Sequence, residues 1–296
     1  MSTGRFAPSP TGVLHLGNLR TALLAWLFAR SAGSRLLMRM EDLDTGRVRP
    51  GLAAEQLADL AAVGVDWDGE VSYQSRRLAG YEAALDALRA AGLVYECFCT
   101  RAEIREAASA AHGPLPEGAY PGTCLRLSEA ELAVKRASGR PPALRVRADG
   151  ARVGFEDRLL GRIDGVVDDF VIRRGDGAFA YNLAVVVDDA DQGVEEIVRG
   201  SDLADSTPRQ LWLARALGLP EAAYAHVPLV LGPDGARLAK RHGDVTLREV
   251  RPTDALAWMG ASLGFAGAGP QDWLTEFDPA RLPTTDTTYR PDTPPR

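Results

Sequence analysis

The stretch that most constrains the fold lies near the N-terminus and reads GRFAPSPTGVLHLGNLRTALLAWLFARS, residues 4–31. It begins with a short strand from Arg5 to Ala7 that ends at two prolines, because proline cannot pair within a central strand. Apolar residues then recur at helical spacing from Leu16 to Ala32, and Gly33 closes the helix. A strand that turns sharply into a helix is typical of a parallel α/β unit.

The turn before this helix has the properties of a phosphate-binding site. Unpaired backbone N–H groups and the positive end of the dipole meet at a helix N-terminus. Gly17 has no Cβ to hinder a ligand that approaches the backbone, and His15 adds a side-chain donor. The alternative interpretation is that His15 only caps the helix.

Composition excludes several classes of protein. Of the chain's residues, 46% are hydrophobic and 25% charged, which is the composition of an ordinary globular protein. The length of 296 residues is sufficient for two domains, or for one domain with an insertion. The net charge of −6 does not support general attraction to nucleic acid, although a local basic face remains possible. The sequence has neither a membrane-length apolar run nor an export pattern, so we expect a cytoplasmic protein without a membrane partner.

Strand and helix patterns alternate along much of the chain, which predicts an α/β fold with a parallel sheet. One apolar segment, FAYNLAVVVDDA, reads as a strand of this sheet. The alternating pattern is interrupted by a segment rich in Cys, Gly and Pro, and the last residues are rich in Pro and Thr. We therefore expect an α/β domain in two halves, 1–92 and 175–232, an inserted subdomain at 93–174, a loop with a helical C-terminal segment at 233–282, and a disordered tail at 283–296.

Four motifs in this order resemble those of the class I glutamyl-tRNA synthetase family. RFAPSPTGVLHLGNLRTALLAW has HLGN at the place of the His-Ile-Gly-His-type element, and RMEDLDTGR and YNLAVVVDDADQGVEEIVRGSDL follow. RLAKRHG lies where the Lys-Met-Ser-Lys-Ser-type loop belongs. In it Arg237 replaces the first lysine and Ala239 the serine, whereas Lys240 matches the phosphate-binding lysine.

The resemblance implies the Rossmann-like catalytic domain of class I aminoacyl-tRNA synthetases. It implies adenylation, in which the α-carboxylate of an amino acid attacks the α-phosphate of ATP and pyrophosphate leaves. Positioning and charge stabilisation then supply most of the catalysis. The residues expected to bind ATP, with Mg²⁺ on the phosphates, are His15, Gly17, Asn18 and Lys240, of which His15, Asn18 and Lys240 are the expected catalytic groups.

The resemblance also implies a glutamate pocket. A planar arginine fork suits the side-chain carboxylate, and a carboxylate suits the substrate ammonium. The residues expected to line the pocket are Arg5, Phe6, Ala7, Pro8, Ser9, Glu41, Tyr181 and Arg199. Two alternatives stay open: Arg199 could pair with Asp202 or Asp205 in a loop, and Glu41 could be a cap. Asp188 and Asp189 read as a strand end without a role.

The three cysteines allow two interpretations. They are either buried thiols or part of a tetrahedral zinc site, for which a fourth ligand is needed. A compact branch of the family, the glutamyl-Q-tRNA(Asp) synthetases, has Cys-x-Cys followed by Tyr-x-x-x-Cys, with tyrosine as the fourth ligand. The match implies a structural zinc ion on Cys97, Cys99, Tyr120 and Cys124, with His112 as the substitute for the tyrosine.

The short segment after Lys240 indicates which activity to expect. Glutamyl-tRNA synthetases continue into a helical anticodon-binding region, for which this segment is too short. The compact branch activates glutamate without tRNA and attaches it to queuosine, the wobble base of tRNA(Asp). The resemblance thus implies a queuosine-modifying ligase and a monomer, the alternatives being a truncated or discriminating glutamyl-tRNA synthetase and a non-catalytic paralogue that binds RNA or nucleotide.

A run of arginines in the inserted segment is the candidate surface for the anticodon stem-loop. Such a run is more often a solvated face, and the acidic net charge predicts modest, salt-sensitive binding. The arginines are Arg126, Arg136, Arg140, Arg145 and Arg147.

Overall fold

The structure of the protein is a computed structural model that describes residues 2–104, 119–243 and 245–290, with Lys240 described by its backbone alone. The strands are β1 (Thr3–Phe6), β2 (Arg35–Met40), β3 (Ser72–Tyr73), β4 (Val94–Cys97), β5 (Ala143–Val146), β6 (Arg152–Asp157), β7 (Gly161–Val166), β8 (Val171–Arg173), β9 (Glu196–Gly200), β10 (Ala223–Val227), β11 (Val230–Leu231) and β12 (Thr287–Thr288). The α-helices are α1 (Leu16–Ser31), α2 (Leu52–Ala62), α3 (Leu78–Ala90), α4 (Glu129–Ala137), α5 (Tyr181–Asp191), α6 (Thr207–Leu217), α7 (Pro252–Leu263) and α8 (Pro270–Glu276).

The central sheet has seven strands in the order β3-β2-β1-β9-β10-β6-β7. All neighbouring pairs are parallel except the hairpin β6–β7 at one edge. The predicted α/β fold with a mostly parallel sheet is thereby confirmed. Strand β1 lies between β2 and β9, so the chain order changes direction there, and ligands of open α/β sheets bind at the carboxyl ends of strands at such a point.

Apolar cores cover both faces of this sheet. On one face α1 packs with α2, α7 and α8, and on the other α3, α5 and α6 form a second core. Helix α1 is buried around nearly its whole circumference, which explains its continuous apolar sequence. Its one fully buried charge, Arg20, donates to the carbonyl oxygens of Pro228 and Ser262 and so ties α1 to the C-terminal segment.

The segment predicted as an apolar strand, FAYNLAVVVDDA, is instead the helix α5. Its β-branched residues favoured a strand, but Leu183 and Val186 lie on one helical face and pack into the second core. Burial of that face therefore overrides the local preference for a strand.

The predicted insertion at 93–174 contributes to two sheets. Strands β4, β5 and β8 form a separate antiparallel sheet. The hairpin β6–β7 extends the central sheet instead, so only part of the segment 93–174 forms a sheet of its own.

The tail predicted as disordered is ordered up to the last described residue. Strand β12 pairs in parallel with β11, and Asp286 accepts a hydrogen bond from the backbone of Leu229. Tyr289 is buried and packs edge-to-face on Trp258 with ring centroids 5.1 Å apart. One aromatic anchor thus outweighs the polar composition, and the prediction was wrong for 287–289; residues 291–296 lie outside the described part. Among the described residues, no helix is both long and apolar enough to cross a membrane.

Candidate active site

A cavity of about 680 Å³ lies at the carboxyl ends of β1 and β9, beside the N-terminus of α1. Its lining includes residues from the turn after β1, the start of α1, the end of β2, the start of α5 and the end of β9. Most of the residues predicted to bind ATP or glutamate are among them: Arg5, Phe6, Ala7, Pro8, Ser9, His15, Gly17, Asn18, Glu41, Tyr181 and Arg199.

His15 is the N-cap of α1 and also borders the cavity. Its Nδ1 accepts a hydrogen bond from the backbone of Asn18, and the side chain of Asn18 accepts one from the backbone of His15. Burial, with the positive charge of Arg237, lowers the pKa of His15 to about 4. The ring is therefore neutral at pH 7 with its proton on Nε2, because Nδ1 is the acceptor. His15 thus caps the helix and in addition presents one N–H donor beside the helix N-terminus, so the cap is compatible with the predicted phosphate contact, which stays a prediction.

Gly17 keeps the His15 ring in place. A Cβ at this position would come within 3.0 Å of His15 Nδ1, 3.1 Å of its Cε1 and 3.2 Å of the Val230 Cβ. These separations are shorter than ordinary van der Waals contact. A side chain at position 17 would therefore require the His15 ring or Val230 to shift by a few tenths of an ångström, in addition to hindering the access that the sequence suggested for a ligand.

Arg199 is buried at the end of β9 and has an acceptor for each side of its guanidinium. Its Nε donates to His226, and its Nη2 donates to the hydroxyl of Thr207 and the carbonyl oxygen of Leu203. Its Nη1 donates to Gln210 Oε1 at 2.8 Å and, more weakly, to the Tyr181 hydroxyl at 3.4 Å. The long Tyr181 contact borders the cavity, so this is where an incoming carboxylate can compete for a donor.

The described hydrogen bonds of Arg199 all go to groups other than Asp202 and Asp205. The alternative of a loop salt bridge with one of these aspartates is therefore not formed among the described residues. Asp202 pairs with Arg237 instead. The side chain of Arg237 also borders the cavity, where the resembled motif has a lysine.

Arg5 forms an ion pair with a buried carboxylate of α5, that of Asp189. Asp189 Oδ1 lies 3.4 Å from Arg5 Nε and 2.8 Å from Arg39 Nη1. Arg39 Nη2 in turn lies 3.5 Å from Glu41 Oε1. Burial raises the pKa of Glu41, while the charges of Arg39 and Arg5 oppose the rise. The cavity therefore has an arginine and an incompletely compensated carboxylate within one buried network.

A second carboxylate of α5, Asp188, is fully buried and supports the same network. It accepts hydrogen bonds from Gln74, Arg77 and Tyr81. The sequence interpretation gave Asp188 and Asp189 no role because it placed them at a strand end. The structure places them on the inner face of a helix, where Asp189 pairs with the buried Arg5 and Arg39, and Asp188 pairs with the half-buried Arg77.

The loop with Lys240 lies next to the His15 turn. The backbone of Leu16 donates to the carbonyl oxygen of Val245 at 2.8 Å, and His15 forms an isolated bridge with Thr246. Lys240 begins a short 3₁₀ helix that ends at His242, but its side chain lies outside the described part of the chain. Its predicted contact with phosphate stays a prediction.

Comparison with known proteins gives the family. A model described as "tRNA synthetases class I (E and Q), catalytic domain" matches residues 2–262. A glutamyl-Q tRNA(Asp) synthetase of Nocardia farcinica is 62% identical over 95% of this chain and 90% of that protein. The chain belongs to the glutamyl-Q tRNA(Asp) synthetase family. A relative with the same name from Symbiobacterium thermophilum is 47% identical over 96% of this chain and 94% of that protein.

Solved structures agree with this membership. A glutamate tRNA ligase from Elizabethkingia meningosepticum superposes with a TM-score of 0.80 at 25% identity, over 98% of this chain and 67% of that one. A glutamate-tRNA synthetase from Elizabethkingia anophelis gives a TM-score of 0.82 at 25% identity, over 98% and 68%. The resemblance that the four motifs indicated is confirmed.

The cysteines predicted to bind zinc lie together. One ligand atom from each of Cys97, Cys99 and Cys124 lies within 4.8 Å of the others, and the Cys99 and Cys124 sulfur atoms are 3.4 Å apart. The Tyr120 hydroxyl oxygen lies 3.6 Å from Cys99 Sγ. Three thiols and one phenol oxygen converging in this way fit a tetrahedral zinc ion. His112, the substitute for Tyr120, lies outside the described residues.

The arginines expected to meet RNA divide into two groups. Arg145 is buried, donates to the carbonyl oxygen of Asp169 and lies with its guanidinium carbon 3.8 Å from the centroid of the Tyr120 ring. It is therefore a structural residue, and that prediction was wrong. Arg136 is exposed but pairs with Glu96 and Glu129. Arg126, Arg140 and Arg147 are exposed.

Four functional candidates were missed in the sequence, and all of them surround Arg199. Thr207, Gln210 and His226 accept hydrogen bonds from Arg199, and Asp157 pairs with His226; the four residues lie on three elements, β6, α6 and β10. No local pattern marks them, because only the order of the strands brings them together. The one available signal was a histidine within the strand AYAHV, where an apolar residue would be usual.

Proposed function

We propose that the protein activates glutamate with ATP in the absence of tRNA, and then transfers the glutamate to queuosine at the wobble position of tRNA(Asp). The observation that carries this proposal is the arrangement of one cavity. It has two buried arginines and a carboxylate that is 11% exposed near one helix, and a neutral histidine at the N-terminus of another. The first set suits glutamate, and the second suits a triphosphate.

In the proposed activation step, the α1 N-terminus and His15 bind the phosphates of ATP. The backbone N–H of Gly17, the side-chain NH2 of Asn18 and the His15 Nε2 proton stabilise charge as the α-phosphate is attacked, since the backbone N–H of Asn18 already donates to His15. Lys240 is the proposed partner of the leaving pyrophosphate, and Mg²⁺ arrives with ATP. None of these groups has to become covalently linked to the substrate, because positioning and charge stabilisation are sufficient for adenylation.

Glutamate is proposed to bind with its side-chain carboxylate at Arg199 and Arg5. Tyr181 adds a hydroxyl, since its present contact with Arg199 is long enough to be replaced by a substrate oxygen. Glu41 accepts hydrogen bonds from the substrate ammonium, which compensates the burial of this carboxylate. The residues proposed to lie between the amino acid and the nucleotide are Phe6, Ala7, Pro8 and Ser9, all of which line the cavity.

Zinc is proposed as a structural ion on Cys97, Cys99, Tyr120 and Cys124. Four protein ligands leave no open position, so this ion fixes the short segment around β4 rather than reacting with substrate. The exposed Arg126, Arg140 and Arg147 belong to the same part of the chain and are the proposed contacts to the anticodon stem-loop. We expect a monomeric enzyme that acts in the cytoplasm, where charged and uncharged tRNA are found.

The test is glutamate-dependent exchange of pyrophosphate into ATP without any RNA, followed by transfer of labelled glutamate to tRNA(Asp) with and without queuosine. We expect exchange without RNA and transfer only to the queuosine-containing tRNA. Exchange that requires tRNA(Glu) would support a glutamyl-tRNA synthetase instead, and no exchange would support a non-catalytic paralogue. In addition, we expect Arg199→Ala to raise the KM for glutamate far more than the KM for ATP.

A further inference from the structure

A buried line of three polar side chains begins at Arg199 and continues through His226 to Asp157. It crosses three neighbouring parallel strands: β9 carries Arg199, β10 carries His226, and β6 ends at Asp157. His226 is the register partner of Arg199 on the adjacent strand. The side chains of His226 and Asp157 are both fully buried. Strand order alone therefore aligns a guanidinium, an imidazole and a carboxylate at the edge of the cavity.

The hydrogen bonds of this line determine the tautomer of His226. Arg199 Nε donates to His226 Nε2 at 3.0 Å, and an arginine side chain has no acceptor, so Nε2 must be unprotonated. The ring proton is then on Nδ1, which lies 2.6 Å from Asp157 Oδ2. Asp157 also accepts from the backbone of His226, Leu159 and Leu160, so its position is fixed independently of the ring.

This arrangement restricts how the Arg199 guanidinium can turn. Its Nε edge is held by His226 and its Nη2 by Thr207 and Leu203, so the plane of the fork has one orientation. In that orientation Nη1 is directed at Gln210 and Tyr181, and Tyr181 borders the cavity. An arginine fork that is already oriented loses less conformational freedom when a carboxylate binds.

We propose that His226, in its Nδ1–H tautomer fixed by Asp157, is a positioning residue that orients Arg199 for the side-chain carboxylate of the substrate. The substrate part of this inference rests on the proposed function. His226 touches no reacting atom, so its effect reaches the substrate only through Arg199. It should therefore act on the amino acid and not on ATP.

Two substitutions of His226 distinguish a role in orienting Arg199 from a purely structural role. In His226→Gln, the amide oxygen can reach the place of Nε2 and accept from Arg199, although the bond to Asp157 is lost. In His226→Asn, the shorter amide can donate to Asp157 but leaves Arg199 Nε without its acceptor. Kinetics of pyrophosphate exchange give KM values for glutamate and ATP in each variant. Tyr95→Phe is the control, because it removes another buried carboxylate hydrogen bond, to Asp169 at 2.7 Å, away from the cavity.

We expect His226→Asn to raise the KM for glutamate by about 10- to 100-fold, the range of a lost hydrogen bond to a charged group, with the KM for ATP changed by less than about twofold. His226→Gln should recover most of the glutamate affinity, and Tyr95→Phe should leave both KM values unchanged. Equal rises for both substrates in His226→Asn, or equal loss in the two His226 variants, would show that the residue is merely structural.

A second measurement needs neither substrate nor variant. Nitrogen chemical shifts of the histidine rings in the unsubstituted protein report which ring nitrogen carries the proton. We expect His226 to show a protonated Nδ1 and an unprotonated Nε2, and a proton on Nε2 would overturn the proposal even if His226→Asn fails to fold. Absence of exchange in the unsubstituted protein would refute the proposed function instead, so the two failures are distinguishable.

Discussion

The buried carboxylate of Asp189 offers the sharpest test of how the proposed glutamate end of the cavity is built. Asp189 Oδ1 is shared by Arg39 at 2.8 Å and Arg5 at 3.4 Å, and its side chain is 9% exposed. Asp189→Asn keeps the shape and one acceptor oxygen but removes the charge. Hydrogen bonds to charged groups contribute about 1.5–3 kcal/mol each, and breaking a buried pair costs about 3–5 kcal/mol. Because the acceptor oxygen remains, we expect the free energy of unfolding to fall by about 2–4 kcal/mol.

Asp191→Asn is the matched control on the same helix. Its carboxylate is 67% exposed and pairs with Arg77, so the same substitution should change the free energy of unfolding by less than about 1 kcal/mol. Urea unfolding of the two variants measures the difference. In pyrophosphate exchange, we expect Asp189→Asn to raise the KM for glutamate about tenfold, since Arg5 loses its fixed partner. Equal destabilisation by the two variants would refute the argument that burial makes Asp189 important.

Three further predictions concern other parts of the site. Gly17→Ala should lower kcat/KM for ATP by about tenfold or more, because the new Cβ displaces His15, whereas Gly46→Ala, with open space around its Cβ, should be neutral in the same assay. Burial raises the pKa of Glu41, so glutamate affinity should fall as the pH is lowered towards that pKa, and Glu41→Gln should abolish this pH dependence in KM measurements. Metal analysis should find one zinc ion per chain, lost in Cys97→Ser together with thermal stability; a zinc-free and equally stable wild-type protein would contradict this.

Local signals were sufficient for the parts of the fold that are continuous in sequence. The strand before the prolines and the helix that begins within HLGN were predicted to within two residues, because turn residues and apolar spacing mark both ends. The helix α5 was missed, since its run of valines favours a strand in isolation. What decides its state is the second core, which comes from distant parts of the chain.

The residues that touch the cavity were predictable, but those that support them were not. Arg5, Glu41 and Arg199 stand in motifs that resemble a known family, and all three border the cavity. Their partners Asp189 and His226 are not marked by any sequence motif. They contact Arg5 and Arg199 only because the fold brings α5 and β10 next to β1 and β9. The acidic pair in VVVDDA could have been noticed as unusual in an apolar run, had it been read as a helix facing buried arginines.

The two cavity arginines share a principle that bears on substrate choice. Each is fixed by buried partners: Arg5 by the carboxylate of Asp189, and Arg199 by neutral acceptors that include His226, whose ring in turn contacts Asp157. In the proposed reaction a substrate carboxylate meets guanidinium groups that are already oriented, and net attraction alone does not distinguish glutamate from aspartate, because both carry the same charge. In the proposed reaction, selection depends on where the fixed N–H groups point, and a substrate one methylene shorter would leave buried donors unpaired. Loosening either support should consequently narrow the preference for glutamate over aspartate as well as raise the KM for glutamate.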